Sequence, residues 1–487
     1  MRVGVDFGTT RTIAAIADRG NYPVASFTDA DGDTHDYLPS AVAWDGTQLH
    51  YGFEALSAGA NGAAILRSFK RALSDPMVGP GTMVEIGDHR VLLRDLLAGY
   101  LGSVREALVS ASNLGLDADE ALTAVVAVPA HARSAQRFLT IEAFRAAGFD
   151  VIGVLNEPSA AGFEYTHRQA RTVTSKRTRV LVYDLGGGTF DASLVSVCDT
   201  RHEIIDSVGV GQLGGDDFDA VLATLAAQAT GTAVTEALLE DARVAKEQLM
   251  PQSKRVVLEV GGKPVIVPVS AFYEAATPLV NSSLDVMERL VTGLSGDELA
   301  DVAGIYLVGG GSCLPLVPRV LRERFGRRVH RSPHPGASTA IGLAIAADDA
   351  GFALTDKLSR GFGVFRELSA GEKLSFDPIF SRTQPVTPGV PVEVKRRYRA
   401  AHNIGWFRFV EYSDLGPDGE PTGNLAPFAD VLFAFDPTLR GRDLSGMEVV
   451  RRPDGPLIEE TYTIDRDGVV SLTITDLDNG HTFHQAL

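Results

Sequence analysis

Two short glycine-rich segments, each opened by an aspartate and set between apolar strands, constrain this chain more than any other feature. The first, Asp6-Phe7-Gly8-Thr9-Thr10, follows an apolar start and precedes the run Thr12 to Ile16. The second, Asp184-Leu185-Gly186-Gly187-Gly188-Thr189-Phe190-Asp191, lies between Val180 to Tyr183 and Leu194 to Val197. One such turn is as readily an ordinary glycine hairpin. Two of the same form read as one repeated device: glycine lets backbone amides approach an anion, threonine hydroxyls donate to phosphate oxygens, and a leading carboxylate can hold a hydrated Mg²⁺. Both run strand to strand, unlike the strand-to-helix Walker loop, whose G-x-x-x-x-G-K-[ST] spelling does not occur. Gly209-Val210-Gly211-Gln212-Leu213-Gly214 fits the dinucleotide pattern, but Asp216, Asp217 and Asp219 put negative charge where a pyrophosphate would sit, so it is discounted.

Up to about Ala350, short apolar runs such as Val125 to Val128 and Ile305 to Val308 alternate with helical patterns, which predicts an α/β fold. Leu92, Leu93, Leu96, Leu97, Tyr100, Leu101, Val104 and Leu108 form one apolar helical stripe. Beyond about Gly361 the texture becomes strands and turns, with Asp467-Gly468 and Asp478-Asn479-Gly480 as hairpin signals, so an all-β domain is expected there. A chain of 487 residues is long enough for such a multi-domain plan. The net charge of −17 repels polyanions, so nucleic acid and anionic membranes are not expected partners. Two cysteines, Cys198 and Cys313, and the lack of a leader-like apolar stretch or spanning run point to a reducing, cytoplasmic setting.

Further segments follow in a fixed order: Ser68-Phe69-Lys70-Arg71, Val128-Pro129-Ala130 with Gln136-Arg137, Asn156-Glu157-Pro158-Ser159, Leu213-Gly214-Gly215-Asp216, Ala245-Lys246 and Val308-Gly309-Gly310-Gly311-Ser312. With the two turns, this series resembles the heat-shock protein 70 chaperone family of the actin-like ATPase superfamily. The resemblance implies a duplicated actin-like (ribonuclease H-like) ATPase domain with two lobes over residues 1–354. A linker over 355–361 and a smaller peptide-binding-like β-sandwich over 362–487 would follow. In the family a helical lid comes after that point, so a lidless chaperone-like protein is the expectation. ATP or ADP and Mg²⁺ are the implied cofactors, with K⁺ as a further candidate. Unfolded or extended peptide and protein clients are the implied partners, together with co-chaperones.

The resemblance also distributes roles. Asp6 and Asp184 would hold the water shell of Mg²⁺, Thr9, Thr10, Gly186, Gly187, Gly188 and Thr189 would meet the phosphates, and Gly8 and Arg11 would be further nucleotide-binding residues. Lys70, Glu157, Asp184, Thr189 and Asp191 would be catalytic, with Lys70 at the γ-phosphate and Glu157 and Asp191 orienting the attacking water. Gly214, Gly215, Arg243, Lys246, Glu247, Met250, Gly309, Gly310, Gly311, Ser312 and Cys313 would line the nucleoside end, and Pro129 and Arg137 would relay nucleotide state. Taken alone, Lys70 reads as a solvated surface lysine and Glu157 as an acidic helix start. The nucleoside end departs from the family: Glu247 and Cys313 stand where arginines usually flank the base, Arg243 and Met250 where a carboxylate and a hydroxyl are usual, and Gly336 where an aspartate is usual. Guanidinium stacking on the base is therefore expected to be lost. A small-molecule kinase of the same superfamily and a nucleotide-switched scaffold or actin-like assembly protein are the competing readings.

Overall fold

The computed structural model describes residues 1–486 apart from 118, 131, 170–176, 199–200, 293–300, 327, 349–352, 359, 369–372, 382–383, 387–389, 413, 423–424 and 466–467. Ser359 of the expected linker and Arg466 and Asp467 of an expected turn therefore lie outside the described residues. The chain separates into two compact units. The first comprises Met1–Ala72, Pro80–His131 and Thr140–Ala353, and the second Leu73–Gly79, Ala132–Leu139 and Leu354–Leu487.

Two sheets organise the first unit. In one, Arg2–Phe7 lies parallel to Thr123–Val128 on one side and antiparallel to Arg11–Ile16 on the other. In the other, Arg179–Leu185 lies parallel to Val302–Val308 and antiparallel to Phe190–Cys198. The apolar runs in the sequence fall inside these strands because both faces of the sheets are covered, which favours continuous rather than alternating hydrophobicity. Strand Arg179–Leu185, for instance, is buried from Val180 to Leu185. The stripe from Leu93 to Leu108 becomes the buried face of helix Leu93–Ser110, while Leu92 ends the preceding strand.

Helix Ser338–Ala347 is buried nearly all round, and its small residues allow that. A Cβ on Gly342 would lie 1.7 Å from the carbonyl oxygen of Ala160 in helix Glu157–Gln169, and one on Gly4 would lie 2.3 Å from the Ala344 amide. This close packing ties the strand that carries Asp6 to the helix that begins at Glu157.

In the second unit, one antiparallel sheet orders Lys373–Phe380, Gly361–Leu368, Ile404–Tyr412 and Ala426–Ala434. Another orders Val392–Arg399, Leu457–Ile464, Val470–Asp476 and Thr482–Ala486. Strict alternation of buried and half-buried positions along Leu457–Ile464 and Val470–Asp476 marks strands with one covered face. Phe362, Phe409 and Val431 from one sheet share a core with Tyr462, Leu472 and Ile474 from the other, and the Phe409 and Tyr462 rings stand 6.1 Å apart. Gly480, at φ +71°, turns the chain between the last two strands. The stretch read from sequence as a linker starts within a strand, Ala353–Lys357, whose Asp356 and Lys357 pair with Val386 and Pro385.

Candidate functional site: a cleft between two matched hairpins

The two aspartate-opened turns have the same hydrogen-bond closure. The Gly8 amide donates to the Arg11 carbonyl at 3.0 Å, and the Gly186 amide to the Thr189 carbonyl at 2.9 Å. In each, the aspartate sits two residues before the glycine, at the end of its strand. The turns also press against each other: a Cβ on Gly187 would fall 2.3 Å from Thr10 Oγ1, and one on Gly188 would fall 2.7 Å from Thr9 Cγ2. A third backbone segment packs over the second turn, with the amides of Gly215 and Asp216 donating to the carbonyls of Gly186 and Gly187. A fourth closes in at Gly309, whose φ of +79° requires glycine and whose Cβ position is 2.3 Å from Asp184 Oδ1. The result is a cleft of about 450 Å³ lined by both turns and by Asp6, Lys70, Glu157, Asp184, Gly215, Arg243, Lys246, Glu247, Gly309, Gly310, Gly311 and Cys313.

Charge is concentrated at one part of this cleft. Lys70 Nζ donates to Glu157 Oε1 at 2.9 Å, and both side chains are buried. Lys70 is thus no surface lysine: burial alone would lower its pKa, but Glu157, Asp6 and Asp191 outweigh that and raise it. The carboxyls fare differently. Burial, reinforced by Glu157 and only partly offset by Lys70, pushes Asp6 up to about 7. Burial followed by the charges of Glu157, Asp191 and Asp6 raises Asp184 well above the usual carboxylate range. Asp6, Glu157 and Asp184, three carboxyls lining the cleft beside the one ammonium of Lys70, make this part of it short of positive charge. Among the described residues no three His, Cys, Asp or Glu side chains are grouped as a direct ligand set. Carboxylate oxygens are the hard donors that Mg²⁺ takes, directly or through its water shell, so the donor set fits such a cation.

Elsewhere along the lining, a second group is knit together. Arg11 Nη2 donates to Glu247 Oε2 at 2.5 Å, and the guanidinium lies over the Tyr37 ring at 4.3 Å from its centroid. Lys246 Nζ donates to the Gly215 carbonyl at 2.8 Å and pairs with Asp219 at 2.7 Å. Arg243 is bonded to Glu240. Arg71, outside the cleft lining, donates to the Gly188 carbonyl at 3.2 Å and lies 3.5 Å from Asp216.

Several residues expected at the site stand behind it. Gly188, Gly214, Ser312 and Asp191 support the wall rather than line it; Ser312 Oγ donates to the Gly309 carbonyl at 2.8 Å. Met250 is 57% exposed and does not line the cleft; its amide donates to Ser253 Oγ. Pro129 is buried at the end of its strand, and Arg137 lies in helix Ser134–Ala146; neither lines the cleft. Tyr37, Phe218, Leu249 and His334 do line it and went unread in the sequence, which offered no motif for them. The discounted dinucleotide pattern ends at a helix whose first turn is occupied by its own acid: the Gly214 amide donates to Asp217 Oδ2 at 2.7 Å.

The family model described as Hsp70 protein matches residues 106–351. The chain is 31% identical over 366 residues to the chaperone protein HscA of Klebsiella pneumoniae, covering 72% of this chain and 58% of the relative. It is 33% identical over 371 residues to the chaperone protein HscA homolog of Bordetella pertussis, with the same coverage of 72% and 58%. The HscA homolog of Tolumonas auensis is 33% identical over 363 residues, covering 71% of this chain and 57% of the relative. The chain thus spans somewhat over half the length of the curated relatives it matches. Among the described residues no helix is long and apolar enough to cross a membrane. With the family model matched over half the chain and the two hairpins facing one charged cleft, the chain belongs to the Hsp70 family.

Proposed function

We propose that this chain binds Mg-ATP in the cleft, hydrolyses it slowly to ADP and phosphate, and engages extended peptide or protein clients through the two-sheet unit, read as a β-sandwich. The observation that carries the reading is the buried Lys70–Glu157 pair set among Asp6, Asp184 and Asp191 beside two touching glycine hairpins. Mirrored strand pairing and turn closure support the duplicated, two-lobed reading of the first unit. The relatives' printed names as chaperones support client binding.

Phosphoryl transfer to water needs positioning and charge neutralisation more than covalent help. The amides and hydroxyls of Gly8 to Thr10 and Gly186 to Thr189 would orient the triphosphate, with Asp6 and Asp184 holding the water shell of Mg²⁺. Mg²⁺ supplies neutralisation of phosphate charge when bound. Lys70 would meet the γ-phosphate as a compact cation, and Glu157 and Asp191 would orient the attacking water and accept its proton as the bond to the β-phosphate oxygen breaks. Titration calorimetry with ATP and ADP, with and without Mg²⁺, tests the assignment. Asp6→Ala and Asp184→Ala should each weaken Mg²⁺-dependent binding; unchanged affinity in both overturns it.

A further inference from the structure

Resting on the nucleotide reading of this cleft, we infer that Arg11 is the group that stacks on the base, reached from the first hairpin and held in place by Tyr37 and Glu247. The cleft's cations are held by separate partners: Lys70 Nζ donates to Glu157 Oε1 at 2.9 Å, whereas Arg11 Nη2 donates to Glu247 Oε2 at 2.5 Å and its guanidinium lies over the Tyr37 ring. The ammonium of Lys70 and the turn amides suit phosphates; the base would then lie against the group formed by Arg11, Tyr37 and Glu247, all three of which line the cleft.

There the helix Glu236–Glu247 presents the carboxylate of Glu247, while the guanidinium of Arg243 on the same helix is tied to Glu240. The planar cation comes instead from strand Arg11–Ile16, and the 2.5 Å bond from its Nη2 to Glu247 joins the two walls. Pairing with Glu247 spends the charge of Arg11, which makes it a poor phosphate ligand, but leaves its flat guanidinium as a stacking surface. The Tyr37 ring, 4.3 Å away, fixes the orientation of that plane. A guanidinium held at both its edge and one face loses little freedom when a base lies against it, which favours binding. The guanidinium plane that the sequence implied was lost from the second wall is thereby supplied by the first.

The test compares ATP, ADP and inorganic tripolyphosphate, each with Mg²⁺, binding to the full chain and its variants. Arg11→Ala should weaken ATP and ADP about fivefold to tenfold, the range of a partly desolvated cation–π contact, and leave tripolyphosphate within about twofold. Arg11→Lys, which keeps the charge and loses the plane, should recover little of the loss and guards against a folding defect in the alanine variant. Glu247→Gln, which can still accept from Nη2, should lose less than Glu247→Ala. Equal weakening of ATP and tripolyphosphate by Arg11→Ala would make Arg11 a phosphate contact and overturn the inference, as would no change in either or full rescue by lysine. Binding of neither ligand by the parent would overturn the nucleotide reading itself, and this inference with it.

Discussion

Each unit of this protein buries a cluster of charged side chains, and the two clusters are built to opposite rules. In the second unit, Arg366 makes two bonds to Glu460, at 3.0 and 2.6 Å, and a third to Asp377 at 2.7 Å. Arg396 adds two more bonds to Asp377, at 3.0 and 3.1 Å, and the hydroxyls of Tyr398 and Tyr462 each donate to Glu460 at 2.5 Å. Two guanidiniums thus answer two carboxylates. Burial alone would raise the Asp377 carboxyl, but the hydrogen bonds from Arg396 and Arg366 outweigh it and hold it below its ordinary range. In the cleft of the first unit, Lys70 faces three lining carboxyls, Asp6, Glu157 and Asp184, and the carboxyls of Asp6 and Asp184 are raised. A balanced cluster is complete within the chain and serves the fold. An unbalanced one stores a deficit that a cationic ligand would relieve, the pattern expected where function is placed at the expense of stability.

This contrast is broken or sharpened by variants on each side. The largest effect should come from Glu460→Ala, which takes two of its three carboxylate bonds from the partly buried Arg366 guanidinium and leaves the hydroxyls of Tyr398 and Tyr462 without their acceptor. Removing one partner of a buried pair costs about 3–5 kcal/mol, read as a lowered denaturant midpoint for that unit, while ATP affinity of the first unit should not change. If that unit loses less than about 1 kcal/mol, the network is no structural keystone.

Next in size is Lys70→Ala, which should slow single-turnover ATP hydrolysis by roughly 10²-fold, the worth of a preorganised charge, with ADP affinity little altered. Hydrolysis at the parental rate would return Lys70 to a structural role. If the parent itself turns over no ATP, the switched-scaffold reading gains.

Smaller, and dependent on pH, is Asp377→Asn. A carboxyl whose folded pKa lies below its unfolded value contributes stability above the unfolded value and loses it as pH falls through the folded one. The variant should therefore be less stable than the parent at pH 7, and the gap should close in acid, as pH falls from the ordinary carboxylate range through the lower pKa of the folded state. A gap that persists unchanged down to pH 2 would mean that packing, not charge, explains the loss.

Much of the cleft is legible in the sequence because turns are local. Asp6 to Thr10 and Asp184 to Thr189 each carry their aspartate, glycines and threonine in one short stretch, and the strand signals on either side fix the direction of entry. What pairs across the chain is not legible one residue at a time. Lys70 and Glu157 are 87 positions apart, and only a helix beginning at Glu157 and packed through Gly342 brings them to 2.9 Å. Arg11 and Glu247 are separated by 236 positions, so their pairing is invisible to any comparison made on the helix alone. Glu460 did leave a trace, since it occupies a buried phase of an alternating strand where an apolar residue is ordinary. Its partner Arg366 comes from the other sheet and leaves no such trace.

The central claim, that the cleft's surplus carboxyls belong to function and not to the fold, is tested most directly by thermal unfolding of Asp184→Asn beside the parent, with and without Mg-ATP. Removing a buried charge that lacks its counter-charge should leave the ligand-free midpoint equal to or above the parent's, and the upward shift that Mg-ATP gives the parent by binding the native state should largely vanish. A variant that unfolds earlier than the parent without ligand, yet keeps the full Mg-ATP shift, would contradict the account.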